Sequence, residues 1–280
     1  MPAKRLSSQQ IKLLSERVPA RRLADVSSEV REALAEGLLE TKNLTEWLAV
    51  DRPHLATRVF SRFSHYDWWP ELRKEIKASS HLSALKFSLW IGQRLATFVH
   101  PQDDLWQTIA KHPSDVVREW AACIVGYRSD LTLKEKMIRI RPMADDPNAG
   151  LREVAWMALR GDVARDPSKS IKPLLAWTTE KSDRLRRYSS EITRPCGVWC
   201  AHIGLLKSKP EIGLPILEKL NMDSSKYVRD SVANWLNDAS KTQPDFVLEV
   251  TDRWRKECQS PNTDKIISRA LRTIRHQKDL

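Results

Sequence analysis

One short phrase recurs four times in this chain and limits what it can fold into. It reads Val117-Arg118-Glu119-Trp120-Ala121, Leu151-Arg152-Glu153-Val154-Ala155, Leu185-Arg186-Arg187-Tyr188-Ser189 and Val228-Arg229-Asp230-Ser231-Val232, with its arginines 34, 34 and 43 residues apart. A polar turn precedes each copy, at 112–115, 145–148, 181–183 and 223–225, and an apolar helical run follows. Self-similarity at a period of roughly 20–50 residues marks stacked supersecondary units, none of which buries its apolar face alone.

An apolar residue, an arginine and then a small residue is how HEAT-type repeats open their inner helix. The chain is therefore expected to be all-α: a HEAT-like helical-repeat solenoid, an α-α superhelix with a basic concave surface, built as one domain over residues 1–280. Only 8 glycines and 15 prolines are present, and nothing alternates with period two beyond a few residues, which argues against sheet. Residues 1–110 read as degenerate repeats. There Ser27-Ser28-Glu29 caps a fainter copy, Val30-Arg31-Glu32-Ala33-Leu34, and Asp51-Arg52-Pro53 opens another helix with proline in its first turn. Leu82 to Phe87 would be a degenerate inner helix. Residues 111–280 carry the clean motifs. The third interval is longer than the first two, so an insertion lies between Arg186 and Arg229, at the helix-breaking Thr193-Arg194-Pro195-Cys196-Gly197. Solenoid insertions gather on one face, often the binding face.

Lys and Arg number 47 against 36 Asp and Glu, a formal charge of +11, which favours nucleic acid, an acidic membrane face or an acidic protein as partner. A protein that is merely basic is the alternative. Lys181, Arg184, Arg186, Arg187 and Arg194 cluster within one short stretch, and Arg269, Arg272 and Arg275 recur every third residue, predicting a basic stripe on the last helix. No apolar run reaches the roughly 18 residues of a membrane span, and Met1-Pro2-Ala3-Lys4-Arg5 lacks the apolar core of a secretory signal. The four cysteines, Cys123, Cys196, Cys200 and Cys258, read as reduced and cytosolic. Cys196, Cys200 and His202 have no second ligand pair beside them, so two small buried residues on a helix are preferred over a metal site.

Eleven tryptophans are present, and Trp47, Trp90, Trp106, Trp177 and Trp254 lie in apolar periodic runs that mark them as core. Trp156 and Trp235 stand four and six residues after their phrase arginines and are expected to reach the groove, where an aromatic beside a basic surface stacks on a base. Packing between repeats is the alternative for each.

From Trp177 to Trp254 the pattern becomes more specific. It includes Arg186-Arg187-Tyr188-Ser189-Ser190-Glu191-Ile192-Thr193-Arg194-Pro195, then Trp199, and later Ser231-Val232-Ala233-Asn234-Trp235-Leu236-Asn237-Asp238. This resembles the AlkC branch of the HEAT-like-repeat DNA glycosylases that remove alkylated bases, a branch related to AlkD. The family pattern there is Arg-Arg-Leu-Ala-Ser-Glu-Gly-x-Arg-Pro, a Trp shortly after, and Ser-Val-Ala-Asn-x-Leu-Asn-Asp. The resemblance covers roughly residues 155–275. It implies a DNA N-glycosylase that hydrolyses the glycosidic bond of N-alkylated bases without metal or cofactor. Its partner would be double-stranded DNA containing alkylated bases, with no membrane, and it would be a monomer in a bacterial cytoplasm, associated with the nucleoid. Glu191 and Asp238 match the catalytic carboxylates, and Trp199 matches the family's Trp, contacting the lesion with Trp156 and Trp235. Arg186, Arg187, Arg194, Arg229, Asn234 and Asn237 would hold the DNA.

The chemistry is coherent. A cationic alkylated base already leaves well, so the protein must hold the backbone and set a carboxylate against the oxocarbenium charge growing at C1′. Glu191 is a lone carboxylate in the most basic segment, which favours its ionised form. The alternative for Glu191 and Asp238 is a salt bridge to a neighbouring phrase arginine, tying repeats together. Departures from the family pattern keep a second function open. A gapless alignment back from Trp177 sets Ala158-Leu159-Arg160 on the family's Ala-Ile-Arg and Trp156 on its second catalytic Glu, with Glu153 one turn earlier. Ile192 replaces a glycine, and Cys196-Gly197-Val198 replaces Arg-Leu-Pro. The second function is a non-catalytic HEAT-repeat protein recognising bent or damaged DNA by shape. A third is a protein-scaffolding module, whose binding would fall little with salt where phosphate contacts make it fall steeply.

Overall fold

Caps decide where the helices begin. The computed structural model describes residues 7–197 and 199–278, so the expectations for Met1 to Arg5 and for Val198 lie outside the described residues. Ser27 accepts the Val30 amide to open Ser28–Ala35, and Asp51 accepts the His54 amide to open Arg52–Phe60, which has proline in its first turn. Each phrase opens a helix of its own: Asp115–Tyr127, Ala149–Arg165, Asp183–Ile192 and Lys226–Ala239. Among the described residues there are 18 α-helices and no strand, as the missing period-two alternation required. None of those helices is long and apolar enough to cross a membrane.

The chain divides into two compact units. One runs to Leu131 and adds Asp146–Ala158; the other joins Thr132–Asp145 to the residues from Leu159 onward, so the division falls inside Ala149–Arg165.

The phrase arginines repeat one interaction. Each sends Nη1 to the two carbonyls five and six residues before it, in the turn that precedes its helix. Arg118 takes His112 and Pro113, Arg152 takes Asp146 and Pro147, Arg186 takes Glu180 and Lys181, and Arg229 takes Asp223 and Ser224, all within 2.6–3.1 Å. A planar guanidinium that spans two neighbouring carbonyls fixes the angle at which the chain enters the helix. Two of them also reach the aspartate of the following turn: Arg118 to Asp146 at 3.3 Å, and Arg186 to Asp223 at 2.6 and 3.0 Å. Those aspartates in turn accept the amides of Asn148 and Ser225 at 2.8 Å. The recurrent arginine is therefore explained by the turn-to-helix joint.

In the first unit, helices stack at small residues. A Cβ on Gly126 would stand 2.3 Å from the Ala158 carbonyl oxygen, a contact only glycine permits. Trp120 is fully buried and stacks on Phe60 with ring centroids 5.7 Å apart. Beside it Glu119 accepts Trp47 Nε1 and Ser88 Oγ, and the Arg52 guanidinium lies 4.1 Å over the Trp47 ring. Burial pushes the Glu119 carboxyl up to about 8, against the pull of Arg52 and with a further push from Asp115.

The second unit buries Trp235 and Trp254 completely and packs Trp177 on Tyr188 at 4.8 Å. Two expectations are corrected there. The three carboxy-terminal arginines do not share one helix: Pro261–Ala270 ends at Leu271 and Arg272–Lys278 follows. Cys196 and Cys200 sit half-buried in a loop, not buried on a helix. All four cysteines are free, and no group of His, Cys, Asp or Glu among the described residues is placed to hold a metal.

Candidate functional site

The Asp183–Ile192 helix stops just before Arg194-Pro195, where the pyrrolidine ring disfavours helical backbone at the preceding residue. Residues 193–203 then form the inserted loop. Its neck is closed by the Ile203 amide donating to the Pro195 carbonyl at 3.0 Å. Arg160, buried beneath it, ties the two limbs together, donating to the carbonyls of Ile192 (2.9 Å), Arg194 (2.8 Å) and Ala201 (3.1 Å). The turn is tight: a Cβ on Gly197 would stand 2.3 Å from Cys200 Sγ. Trp199 lies in this loop with 51% of its surface exposed.

Two carboxylates lie at the same end of adjacent helices. Glu191, 4% exposed, is in the last turn of Asp183–Ile192, and Asp238, 3% exposed, is in the last turn of Lys226–Ala239. One arginine joins them. Arg194 Nη1 donates to Glu191 Oε1 at 2.8 Å, while its Nε and Nη2 donate to Asp238 Oδ2 at 2.9 and 2.8 Å. Glu191 Oε2 accepts Ser231 Oγ at 2.7 Å and faces Arg187 Nη2 at 3.4 Å. Ser231 itself accepts Ser190 Oγ at 2.8 Å, a two-hydroxyl relay ending on the carboxylate. Lys241 donates to Asp238 Oδ1 at 3.1 Å. The Arg187 guanidinium also lies 4.3 Å over the Tyr227 ring.

Burial pushes the Glu191 carboxyl up, but Arg187, Arg194 and the Ser231 hydroxyl outweigh it and hold it below its ordinary value. Glu191 is ionised at neutral pH. Burial likewise presses Arg194 down, and the two carboxylates more than reverse it. The arrangement is a pair of anions clamped in water-poor surroundings, with cations arrayed around them.

The residues singled out in the sequence separate into two groups. Glu191, Asp238, Arg187 and Arg194 are brought together. Arg186 and Arg229 are engaged by turn carbonyls, and Arg186 also by Asp223. Asn234 Oδ1 accepts Arg269 and Arg272, and buried Asn237 Oδ1 accepts the amide and hydroxyl of Thr273, so both brace the carboxy-terminal helices. Trp235 is fully buried, its Nε1 donating to Thr193 Oγ1 at 3.2 Å and its ring resting where Gly213 has no side chain. Trp156, in the first unit, is buried with Nε1 donating to Glu153 at 2.9 Å. Of the three tryptophans expected at a lesion, Trp199 alone presents an exposed face. Sequence analysis placed Arg160 and Ser231 within matched motifs but gave neither a role at the site. The signal for Ser231 was its place in the fourth phrase, where a small hydroxyl residue stands in the position of Trp120, Val154 and Tyr188.

No family model matches the chain. Over 122 residues it is 47% identical to the uncharacterized protein YhaZ of Bacillus subtilis, a match covering 44% of this chain and 34% of that relative's length. Solved structures with the same fold include the following. The Pseudomonas fluorescens alkylpurine DNA glycosylase AlkC, bound to DNA containing an abasic site analogue, aligns with a TM-score of 0.64 at 23% identity, covering 91% of this chain and 65% of that one. The smu.31 protein of Streptococcus mutans aligns at 0.53 and 26% identity, covering 67% and 94%. AlkD2 of Streptococcus mutans aligns at 0.53 and 24% identity, covering 66% and 89%. The chain therefore has the helical-repeat fold of these proteins.

Proposed function

We propose that this chain binds double-stranded DNA and hydrolyses the N-glycosidic bond of alkylated bases. The observation that carries the reading is Glu191: a buried carboxylate, kept ionised by Arg187, Arg194 and Ser231, beneath the loop that presents Trp199. An alkylated base carries its own positive charge and needs no protonation to leave. The barrier lies in the oxocarbenium charge at C1′, which a fixed anion in poorly solvated surroundings stabilises strongly. Asp238 holds Arg194 in place and sets its fork toward Glu191. Arg187 and Arg194 take phosphate oxygens, and the exposed indole of Trp199 packs on the lesion nucleotide. Trp156, Trp235, Arg186, Arg229, Asn234 and Asn237 support the fold. The likeness in fold to AlkC, solved with DNA, is consistent with this partner.

The test is release of methylated base from duplex DNA by the wild type and by Glu191→Gln. Release by the wild type, falling on the order of 10²–10³-fold in the variant with DNA affinity intact, is expected, as for loss of one preorganised electrostatic group. No release by the wild type removes the hydrolytic reading. A second reading, recognition of bent or damaged DNA without hydrolysis, is favoured by one observation. Both Glu191 oxygens already have protein partners, the arrangement of a structural salt bridge. DNA affinity that falls steeply with salt, with no base released, would establish it.

A further inference from the structure

We propose that Cys196 and Cys200 are a redox-responsive thiol pair, oxidised by a hydroperoxide to a disulfide that reshapes the inserted loop and turns Trp199 outward. The loop would respond in this way whatever the chain binds. Both thiols are half-buried in residues 193–203, a loop whose limbs are pinned at the neck. The Ile203 amide donates to the Pro195 carbonyl at 3.0 Å, and buried Arg160 holds the carbonyls of Ile192, Arg194 and Ala201. With its ends fixed, the chain between them doubles back. Cys200 is folded onto Gly197: a Cβ there would stand 2.3 Å from Cys200 Sγ and 2.6 Å from its carbonyl oxygen. Cys196 is the neighbour of Gly197, one Cα step of about 3.8 Å away. Disulfides span Cα separations of about 4.4–6.8 Å, so the bond needs an adjustment of the turn and no movement of the flanking helices.

The other two cysteines are placed differently. Cys123 is fully buried against Gly92, and burial pushes its thiol up. Cys258 caps the end of Pro244–Glu257 and accepts Asn221 Nδ2 at 3.4 Å. Burial holds the Cys200 thiol above its ordinary value while Arg160 and Arg194 draw it down, so its thiolate is a minor form that a hydroperoxide consumes slowly. That thiolate attacks the peroxide, the O–O bond breaks, and a sulfenic acid forms on Cys200 as the second oxygen leaves as water or an alcohol. Cys196 sulfur then attacks the sulfenic sulfur; the S–S bond forms, the S–O bond breaks, and hydroxide leaves with the Cys196 proton as water. The two thiols give up two hydrogens and two electrons, and the hydroperoxide is the species reduced. The closed ring holds residues 196–200 and has no interior for an indole. Trp199, already 51% exposed beside Cys200, is therefore driven outward.

Treating the full chain with hydrogen peroxide, alkylating the remaining thiols after unfolding and mapping the peptides by mass spectrometry tests the assignment. Cys196 and Cys200 are expected to lose two hydrogens between them and escape alkylation, Cys123 and Cys258 to be alkylated, and dithiothreitol to restore both thiols. Acrylamide quenching of Trp199, read as the difference between wild type and Trp199→Phe, is expected to rise on oxidation and return on reduction. In Cys196→Ser the oxidation should stop at a Cys200 sulfenic acid that dimedone traps, with quenching unchanged. Should that variant fold poorly, the wild-type peptide map and quenching decide alone. Both thiols left free, Cys200 carried to sulfinic acid beside a free Cys196, a bond between two chains instead of within one, or a disulfide that leaves Trp199 quenching unchanged overturns the proposal.

Discussion

Replacing Arg194 by methionine removes the cation that both buried carboxylates share. Three charge-assisted bonds disappear, the one to Glu191 at 2.8 Å and the two to Asp238 at 2.9 and 2.8 Å. Removing one partner of a buried ion pair typically costs about 3–5 kcal/mol, because the remaining charge stays buried. Glu191 would keep Arg187 and Ser231, and Asp238 would keep the half-exposed Lys241, so each anion loses less than that maximum. Since both are affected, the loss for the site is about 3–5 kcal/mol. The pH dependence also changes. In the wild type the folded Glu191 carboxyl lies below its ordinary value, so its contribution to stability is complete above the unfolded value and is lost as pH falls through the folded one. Without Arg194 two of the influences that lower the folded Glu191 carboxyl are lost while burial, which raises it, remains, so the folded value moves upward and the carboxylate contributes less above its unfolded value. The stability gap between wild type and Arg194→Met should therefore widen between about pH 4 and pH 7. Urea denaturation at several pH values, with equal m-values, measures it. A gap below about 1 kcal/mol, or one that narrows as pH rises, would refute the reasoning.

Glu119 provides the opposite case in the first unit: burial lifts its carboxyl to about 8, so the stability it contributes is complete below its unfolded value and is lost as pH rises through about 8. Glu119→Gln should flatten that decline, seen as a melting temperature that no longer drops between mildly acidic and mildly alkaline buffer; an unchanged decline would assign it to another group. Arg186→Met should cost about 1.5–3 kcal/mol, the scale of hydrogen bonds to charged groups, because it releases two turn carbonyls and Asp223. Its DNA binding should keep the wild-type salt slope, whereas a slope smaller by about one would restore a phosphate contact at this residue.

The four phrases located four helices because apolar spacing and turn residues are local, and a helix start depends on little else. What the phrase arginine does was not legible. A guanidinium suits a phosphate and a pair of turn carbonyls equally well, and the choice at Arg186 and Arg229 rests on a turn conformation that the residue pattern does not encode. The pairing of Glu191 and Asp238 was readable as one of two alternatives, a salt bridge. Its shared partner Arg194 belongs to the inserted loop, though, and not to any phrase. Trp235 misled for a tertiary reason: Gly213, distant in sequence, leaves the space its ring fills. The carboxy-terminal stripe broke at Leu271, where neither glycine nor proline signals a stop.

The charge around Glu191 constrains the order of events in the proposed reaction. Arg187, Arg194 and Lys241 surround two anions, Glu191 and Asp238, so the cluster favours a phosphate over a cationic base as its first visitor. A carboxylate offers about four acceptor positions, and Arg194, Ser231 and Arg187 already use three on Glu191. A DNA phosphate that draws Arg187 and Arg194 toward itself would free one face of the carboxylate as the sugar arrives. Binding and chemistry would then be coupled through the arginines. Glu191→Gln should lose base release while keeping DNA affinity, whereas Arg194→Met should lose both together. In the purely binding reading the same Arg194 variant loses affinity with no release at any stage. Release retained at the wild-type rate in Arg194→Met would break the coupling and leave Glu191 acting alone.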